Sequence, residues 1–138
     1  MVMLFDRFNL PEDVYELLFS TEQQAIVARL LIDHIKANSG EIGKTEMSLF
    51  ATKLQEGKII ASIPSPKYQG KKIKLSYNKR QFYDRILTPC RSMGIISYDM
   101  YRKKYKLSDD FNKEMIRIGL KWTKELRAPP KTDIEIHE

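Results

Sequence analysis

Hydrophobic residues recur every three or four positions along several stretches of the chain, which is the spacing of an amphipathic helix. A short helix is predicted over 11–19, with Pro11 suited to the first helical position. A second helix is expected from a cap at Ser20 or Thr21 to about Asn38. It is apolar around much of its surface, so we expect it to be the buried central helix.

Shorter patterns predict one further helix and two β segments. A third helix is expected over 45–55, capped by Thr45. Residues 57–76 contain isoleucines that favour strand and prolines that interrupt it, so they predict a short hairpin or an ordered loop. Residues 94–108 alternate in polarity and predict two strands around a basic tip.

The fourth helix is predicted to begin near Ser76 or Asn78 and to end at Gly94. Its apolar face holds Phe82, Ile86, Cys90 and Met93, and its outer face holds Arg80, Gln81, Asp84, Arg85, Thr88 and Arg91. Pro89 removes a helix hydrogen bond and disfavours helical geometry at Thr88. We therefore expect a kink or a break there, with the first three turns as the presenting surface.

The last helix, predicted over 109–128, has a continuous apolar seam at steps of three and four residues. The seam consists of Phe111, Met115, Ile118, Trp122 and Leu126. It has two interpretations: it closes over the core of the domain, or it pairs with its mate in a two-fold homodimer. We favour the homodimer, to which the N-terminal segment 4–18 could contribute. Residues 129–138 form a polar tail.

Basic residues are concentrated in one part of the chain. The 138 residues include 24 Lys and Arg and 18 Asp and Glu, a net charge of +6. Residues 67–106 hold twelve of the basic residues and two of the acidic ones, a net +10, which leaves −4 for the remainder. Such asymmetry is typical of proteins that bind polyanions. A solvated basic face would give the same pattern.

The composition limits the class of protein. A chain of 138 residues that is 42% hydrophobic and 30% charged is expected to fold as one soluble globular domain. No stretch approaches the roughly 20 apolar residues of a membrane span, and no secretory leader is recognised, so we expect cytoplasmic residence without membrane association. No ligand pocket is legible in the sequence, and no small-molecule ligand is predicted.

Candidate chemistry is sparse. The single cysteine, Cys90, cannot form an intrachain disulfide and is expected to be an inert core thiol. His34 and His137 have no partners at ligand spacing, so we predict no metal and no other cofactor. There is no glycine-rich phosphate loop, GxSxG or His-Glu-x-x-His motif, so we do not expect an enzyme.

The order of motifs from Asn78 to Leu107 resembles a known family. An amphipathic helix with a polar outer face is followed by Met-Gly-Ile-Ile at 93–96 and by a tyrosine-rich hairpin tipped by Arg-Lys-Lys at 102–104. This order resembles the second half of a winged helix-turn-helix domain, in which the recognition helix continues directly into the wing. The helices at 21–38 and 45–55 are similar to the family's first two helices.

The resemblance covers residues 20–108 and implies a mainly α, α+β fold: a winged helix-turn-helix with additional helices at 1–19 and 109–128. The chain departs from the family pattern between the second and third helices. A compact motif has a turn of about three or four residues there, whereas residues 57–76 intervene here. Either an inserted basic hairpin decorates the motif, or the helix at 45–55 is not the family's second helix.

The resemblance implies that the protein binds double-stranded DNA in a sequence-specific manner and regulates transcription. An α-helix fits the major groove, where Arg and Gln read guanine and adenine edges, while the wing meets phosphates or the minor groove. Asp84 is expected to pair with Arg80 rather than to contact a base. The predicted DNA-binding residues are Lys79, Arg80, Gln81, Arg85 and Thr88 on the helix, Arg102 and Lys103 in the wing, and Lys71, Lys72 and Lys74 in the insert.

A second hypothesis is a winged-helix module that binds RNA or protein without sequence-specific DNA binding. Tyr98, Tyr101 and Tyr105 are interleaved with basic residues and could stack on unpaired bases. Their alternation within a hairpin more strongly favours half-buried packing of at least one of them.

Overall fold

The structure, a computed structural model, describes residues 6–63, 68 and 70–138. The parts of the predicted 4–18 and 57–76 segments at 4–5, 64–67 and 69 lie outside the described residues. The elements are α1 (Val14–Leu18), α2 (Glu22–Ala37), β1 (Glu41–Gly43), α3 (Lys44–Gln55), β2 (Ile59–Ser62), β3 (Lys72–Leu75), α4 (Lys79–Phe82), a π-helical turn (Tyr83–Leu87), α5 (Thr88–Ser92), β4 (Ile96–Asp99), β5 (Lys104–Leu107) and α6 (Asp110–Arg127). The fold is α+β, with two small antiparallel sheets.

The central helix is α2, as predicted. Its cap is Thr21, whose hydroxyl accepts a hydrogen bond from the Gln24 backbone N–H at 3.1 Å. Six of its sixteen residues are buried. The chain leaves the helix through Ser39 and Gly40, both with positive φ, and this left-handed turn directs it into β1.

The N-terminal helix is shorter than predicted. Pro11 lies outside it, and α1 begins at Val14, with the Asp13 carboxylate accepting from the Tyr15 N–H at 2.9 Å. Asp13 also pairs with Arg29 of α2 at 2.6 Å, and the Arg29 guanidinium lies 4.8 Å from the centre of the Tyr15 ring. These contacts hold α1 on the central helix.

A three-stranded sheet has the order β1-β5-β4. The sequence pattern predicts β4 and β5 but misses β1, which has three residues and pairs Ile42 with Tyr105. The prediction of Thr45 as the cap of α3 is wrong: the helix begins at Lys44, and Gly43 occupies the cap position without a side-chain hydrogen bond. Because Gly43 is paired with Lys104 in the sheet, strand pairing fixes where α3 begins.

The hydrophobic core lies between α2, α3, the helical segment 79–92 and the inner face of the sheet. Its fully buried side chains include Leu31, Ile35, Ile42, Met47, Leu54, Phe82, Ile86, Leu87, Cys90 and Ile96. Aromatic contacts connect the helices, since the Phe50 ring lies 5.7 Å from Phe82 and 5.1 Å from His34. His34 is therefore a stacked, partly exposed structural side chain.

The segments α4, the π-helical turn and α5 form one continuous helix, 79–92, which we call the composite helix. The predicted break at Pro89 is absent, because Thr88 has helical dihedral angles (φ −59°, ψ −47°). The irregularity lies one turn earlier, where the Thr88 N–H bonds to the Tyr83 carbonyl in a wider π turn. A proline inside an α-helix clashes with the carbonyl four residues before it, and a π turn at that position widens the helix without ending it.

The insert between α3 and the composite helix contains the antiparallel hairpin β2–β3. Ile59, Ala61, Ile73 and Leu75 on one face are half-buried, whereas the paired Ile60 and Lys74 on the other face are exposed. The hairpin returns the chain to α3, because the Tyr77 N–H donates to the Leu54 carbonyl at 3.2 Å. The composite helix therefore begins beside the end of α3 despite the long insert.

The last helix, α6, runs along none of the other elements over most of its length. None of its residues is buried, and its seam is exposed from Met115 onward. The interpretation in which this seam closes over the core is therefore wrong. The start of α6 is held where the Phe111 N–H donates to the Gly94 carbonyl at 3.0 Å. Among the described residues, no helix is both long and apolar enough to cross a lipid bilayer.

Candidate nucleic-acid interface

The composite helix presents one polar face to solvent. Asn78 caps its start by accepting from the Gln81 N–H at 3.0 Å. The inner face is buried through Phe82, Ile86, Leu87 and Cys90, with Met93 half-buried just past the end. The predicted outer residues Arg80, Gln81, Asp84, Arg85, Thr88 and Arg91 are all exposed. The sequence therefore predicted both faces of this helix correctly, but it did not predict the π turn in the middle of the helix.

Lys79 differs from the other predicted contact residues on this helix. It is half-buried, and its ammonium donates to the Thr52 hydroxyl at 2.9 Å and to the Ser48 hydroxyl at 3.3 Å. Its backbone N–H also donates to the Gln55 side chain at 2.9 Å. Lys79 therefore fastens the composite helix to α3, and its ammonium group already has hydrogen-bond partners within the protein.

Arg80 is almost fully open to solvent, with a side chain that is 92% exposed. Its Nε lies 3.8 Å from Asp84 Oδ2, so the expected pair between these residues is present at the limit of ion-pair distance. Exposed pairs at this spacing contribute only about 0.3–0.5 kcal/mol. Arg80 can therefore leave Asp84 for a stronger partner at little cost.

The outer face of the helix continues into the β4–β5 hairpin. Thr88 and Arg91 line a shallow groove together with Ser97 and Tyr98 of β4. The Arg91 guanidinium carbon lies 5.4 Å from the Tyr98 ring centre and 6.0 Å from that of Tyr105. The two tyrosine rings contact each other at 4.6 Å across the strand pair. This cluster packs the hairpin against the helix. The expected half-buried packing of at least one tyrosine is confirmed for Tyr98, and Tyr105 is buried.

The tip of the hairpin is held rigidly by Asp99. Its carboxylate accepts from the backbone N–H groups of Tyr101 at 2.9 Å and Arg102 at 3.1 Å. Lys103 completes the turn with a positive φ of 52°. Carboxylates that accept from the backbone two and three residues on are a common way to order a tight turn. These hydrogen bonds order the turn that carries the basic tip.

Glu41 of β1 forms ion pairs with two basic side chains of the hairpin. Its carboxylate lies 3.1 Å from both Lys104 Nζ and Arg102 Nη2. The hydrogen bond from Lys104 and the positive charges of both partners lower the pKa of Glu41. Lys103, by contrast, is exposed at the tip. Of the two predicted wing contacts, Arg102 thus has a partner within the protein.

Two exposed residues at the hairpin tip, Met100 and Tyr101, were not predicted as surface residues by the pattern of the sequence. Met100 is 79% and Tyr101 is 99% exposed at the tip, between the basic residues. The signal that could have found them is their position in the turn, because residues between paired strands have no neighbouring strand to cover them.

The insert lysines Lys71, Lys72 and Lys74 are exposed on or beside the β2–β3 hairpin. Tyr68, which precedes β3 in the chain, lies near α2, since its hydroxyl donates to Glu22 Oε1 at 2.7 Å. The insert lysines extend the basic character of the surface next to the start of the composite helix.

Other chemistry is not assembled in the described part of the chain. Its His, Cys, Asp and Glu side chains form no group of three or more that could hold a metal ion. Burial raises the pKa of the Cys90 thiol to about 12, which makes this thiol unreactive at neutral pH. Comparison with protein-family models, with curated proteins and with solved structures gives no match to this chain.

Proposed function

We propose that this protein is a winged helix-turn-helix protein that binds double-stranded DNA in a sequence-specific manner and regulates transcription. The composite helix would lie in the major groove, and the β4–β5 hairpin would act as the wing. The observation that carries this proposal is the exposure of Arg80, Gln81 and Arg85 on one face of a helix whose opposite face is fully buried.

The order of the elements supports a winged helix. Two helices, α2 and α3, precede the composite helix, and the chain then passes through Gly94 directly into β4 and β5. The β2–β3 hairpin leaves the α3 end and returns to it, as shown by the contact of Ser76 Oγ with the Gln55 carbonyl at 3.3 Å. This arrangement favours the inserted-hairpin alternative, in which α3 is the second helix of the motif.

The chemistry of the exposed face supports DNA as the ligand. Arginine can donate two hydrogen bonds to guanine, and glutamine can pair with adenine, in the major groove. Thr88 could contact a thymine methyl or a phosphate. In this proposal Arg80, Gln81 and Arg85 contact bases, while Lys103, Lys72 and Lys74 contact phosphates. Lys79 acts by positioning the helix.

The exposed seam of α6 supports a homodimer as the DNA-binding form. Two copies related by a two-fold axis would present two composite helices to a palindromic site, with half-sites about one helical turn apart. The seam is too apolar to remain exposed on a stable monomer without cost, since its Trp122 and Leu126 are 61% and 66% exposed.

One observation favours the alternative of an RNA-binding winged helix. The Tyr101 ring is 99% exposed at the tip of a rigid basic hairpin. An exposed aromatic ring beside basic side chains is suited to stack on an unpaired base. In this alternative the hairpin tip binds the RNA, and Arg80 and Arg85 have no role in binding.

Selection of ligands from random pools separates these two readings. The wild-type protein is incubated with random duplex DNA and, in parallel, with random single-stranded RNA, and bound molecules are sequenced. We expect a short, palindromic duplex motif. The Arg80→Ala, Arg85→Ala double variant should recover no motif. Enrichment of an RNA motif with Tyr101-dependent recovery, or a duplex pool without any motif, would overturn the proposal.

A further inference from the structure

The first four residues of the α6 seam have the spacing of a two-helix coiled coil. Phe111, Met115, Ile118 and Trp122 are separated by four, three and four residues, which places them at alternating d and a positions of a heptad. Their side chains are half-buried to exposed, and the described part of the chain places no element over them. The helix direction is fixed at its start, because Ser108 and Phe111 are hydrogen-bonded to Ile95 and Gly94.

The charges beside the seam decide how two copies of this helix fit together. In this heptad Glu114 and Lys121 occupy the two g positions, and Asn112, Gly119 and Leu126 occupy the e positions. In a parallel pair the g positions face e positions of the other helix, so Glu114 would face Gly119 and Lys121 would face Leu126. In an antiparallel pair g faces g, so Glu114 of each copy meets Lys121 of the other.

We propose that two copies of this chain pair through α6 in antiparallel orientation. Phe111 of one copy packs on Trp122 of the other, and Met115 packs on Ile118. The two-fold axis repeats both layers, and two Glu114–Lys121 ion pairs flank them. Gly119 of one copy faces Asn112 of the other, and because glycine has no side chain the two helices can approach closely there. This inference rests on the homodimer of the proposed function, not on DNA binding.

A groove on the domain can receive the aromatic end of the second helix. It runs between the end of the composite helix and the first half of α6, and it is lined by Arg91, Met93, Met115, Glu114 and Ile118 among others. In the antiparallel register, Trp122 of the second copy lies against Phe111, next to this groove. Lys121 of the same helix then lies beside Glu114 at the groove's edge. The position of this groove and the charge at its edge therefore point to the same occupant.

A charge swap tests the orientation in the full-length protein without DNA. Sedimentation equilibrium should give twice the chain mass of 16.2 kDa for the wild type at micromolar concentration. Glu114→Lys and Lys121→Glu should each weaken dimerisation by about tenfold or more, because each places two like-charge pairs across the two-fold axis. The double variant, E114K with K121E, should restore the wild-type dissociation constant to within about threefold. Lys124→Glu, on the opposite side of the helix, is the matched control and should leave dimerisation unchanged.

A distance measurement provides the second test. A spin label on Arg127→Cys, in a Cys90→Ala background, should give a label-to-label distance of about 35–40 Å in the antiparallel pair, since the site lies far from the centre of the contact and on the outer side of each helix. A parallel pair would place the two labels only about 20–25 Å apart, because they would lie level with each other on the outer sides of helices whose axes are about 10 Å apart. A dimer with the short distance, or a double charge swap that fails to restore dimerisation, overturns the antiparallel pairing alone. A monomer overturns both the pairing and the homodimer, while the DNA-binding proposal is judged separately by the ligand selection.

Discussion

The Lys79 ammonium lies 2.9 Å from the Thr52 hydroxyl, and this contact fastens the start of the composite helix to α3. The neighbouring residue, Arg80, points into solvent with its side chain almost fully exposed. Two adjacent basic residues at the start of one helix thus have different surroundings. We expect them to act differently, one on the stability of the fold and the other on binding.

Lys79→Met should lower the free energy of unfolding by about 1 kcal/mol, because it removes hydrogen bonds from a charged donor while keeping most of the aliphatic stem. Denaturant unfolding followed by circular dichroism measures this change. Arg80→Met is the matched control and should change stability by less than about 0.5 kcal/mol. Equal stability of the two variants would contradict the fastening role of Lys79.

Gly94→Ala should destabilise the protein strongly, because this turn combines a positive φ of 84° with a close contact. An added Cβ would lie 2.8 Å from the Phe111 backbone nitrogen. We expect a loss of about 2–4 kcal/mol from backbone strain and overpacking. Gly40 has almost the same φ, 85°, with no atom near its added Cβ, so Gly40→Ala should cost only about 1–2 kcal/mol. Thermal unfolding of the two variants tests the difference, and equal costs would show that Gly94 does not crowd the start of α6.

The Cys90 thiol should be protected in the folded protein. Its pKa of about 12 leaves on the order of one molecule in ten thousand as thiolate at pH 8. An aromatic disulfide reagent at pH 8 should therefore react slowly, at a rate limited by opening of the fold. The same reagent should react rapidly in concentrated guanidinium chloride. Rapid and complete reaction of the folded protein would contradict the buried position of this residue.

The insert lysines should contribute phosphate contacts that do not depend on sequence. Replacing Lys72 and Lys74 by alanine should weaken binding to all duplexes alike and reduce the slope of log K against log salt by about two units per bound chain, or about four for the homodimer. Lys131→Ala, in the exposed tail, is the control and should leave the slope unchanged. Fluorescence anisotropy over a salt series measures both. A loss confined to one duplex sequence would assign these lysines to base recognition instead.

The sequence was most informative where hydrophobic periodicity alone determines burial. The two faces of the composite helix, the seam of α6 and the β4–β5 hairpin follow directly from that periodicity. Thr21 also caps α2 as predicted, since a side-chain hydroxyl at a helix start has one dominant local use.

The features that sequence reasoning missed depend on partners distant in the chain. Strand β1 has only three residues, and it exists because β5 offers a free edge about sixty residues later. Pairing in that strand overrides the local capping preference of Thr45 and starts α3 at Lys44. The position of Lys79 likewise depends on two hydroxyls of α3, which no spacing rule connects to it. The π turn replaced the expected break because core contacts on both sides of Pro89 keep the helix continuous.

Sequence preference of the Arg80→Ala, Arg85→Ala double variant tests the central claim most directly. The measurement compares its affinity for the selected duplex and for a scrambled duplex with the two wild-type affinities, at one fixed salt concentration. Because each arginine–guanine pair contributes about 1–3 kcal/mol of discrimination, the preference for the selected duplex should fall at least tenfold while stability stays unchanged. An unchanged preference in the folded double variant would contradict the assignment of the composite helix as the element that reads DNA.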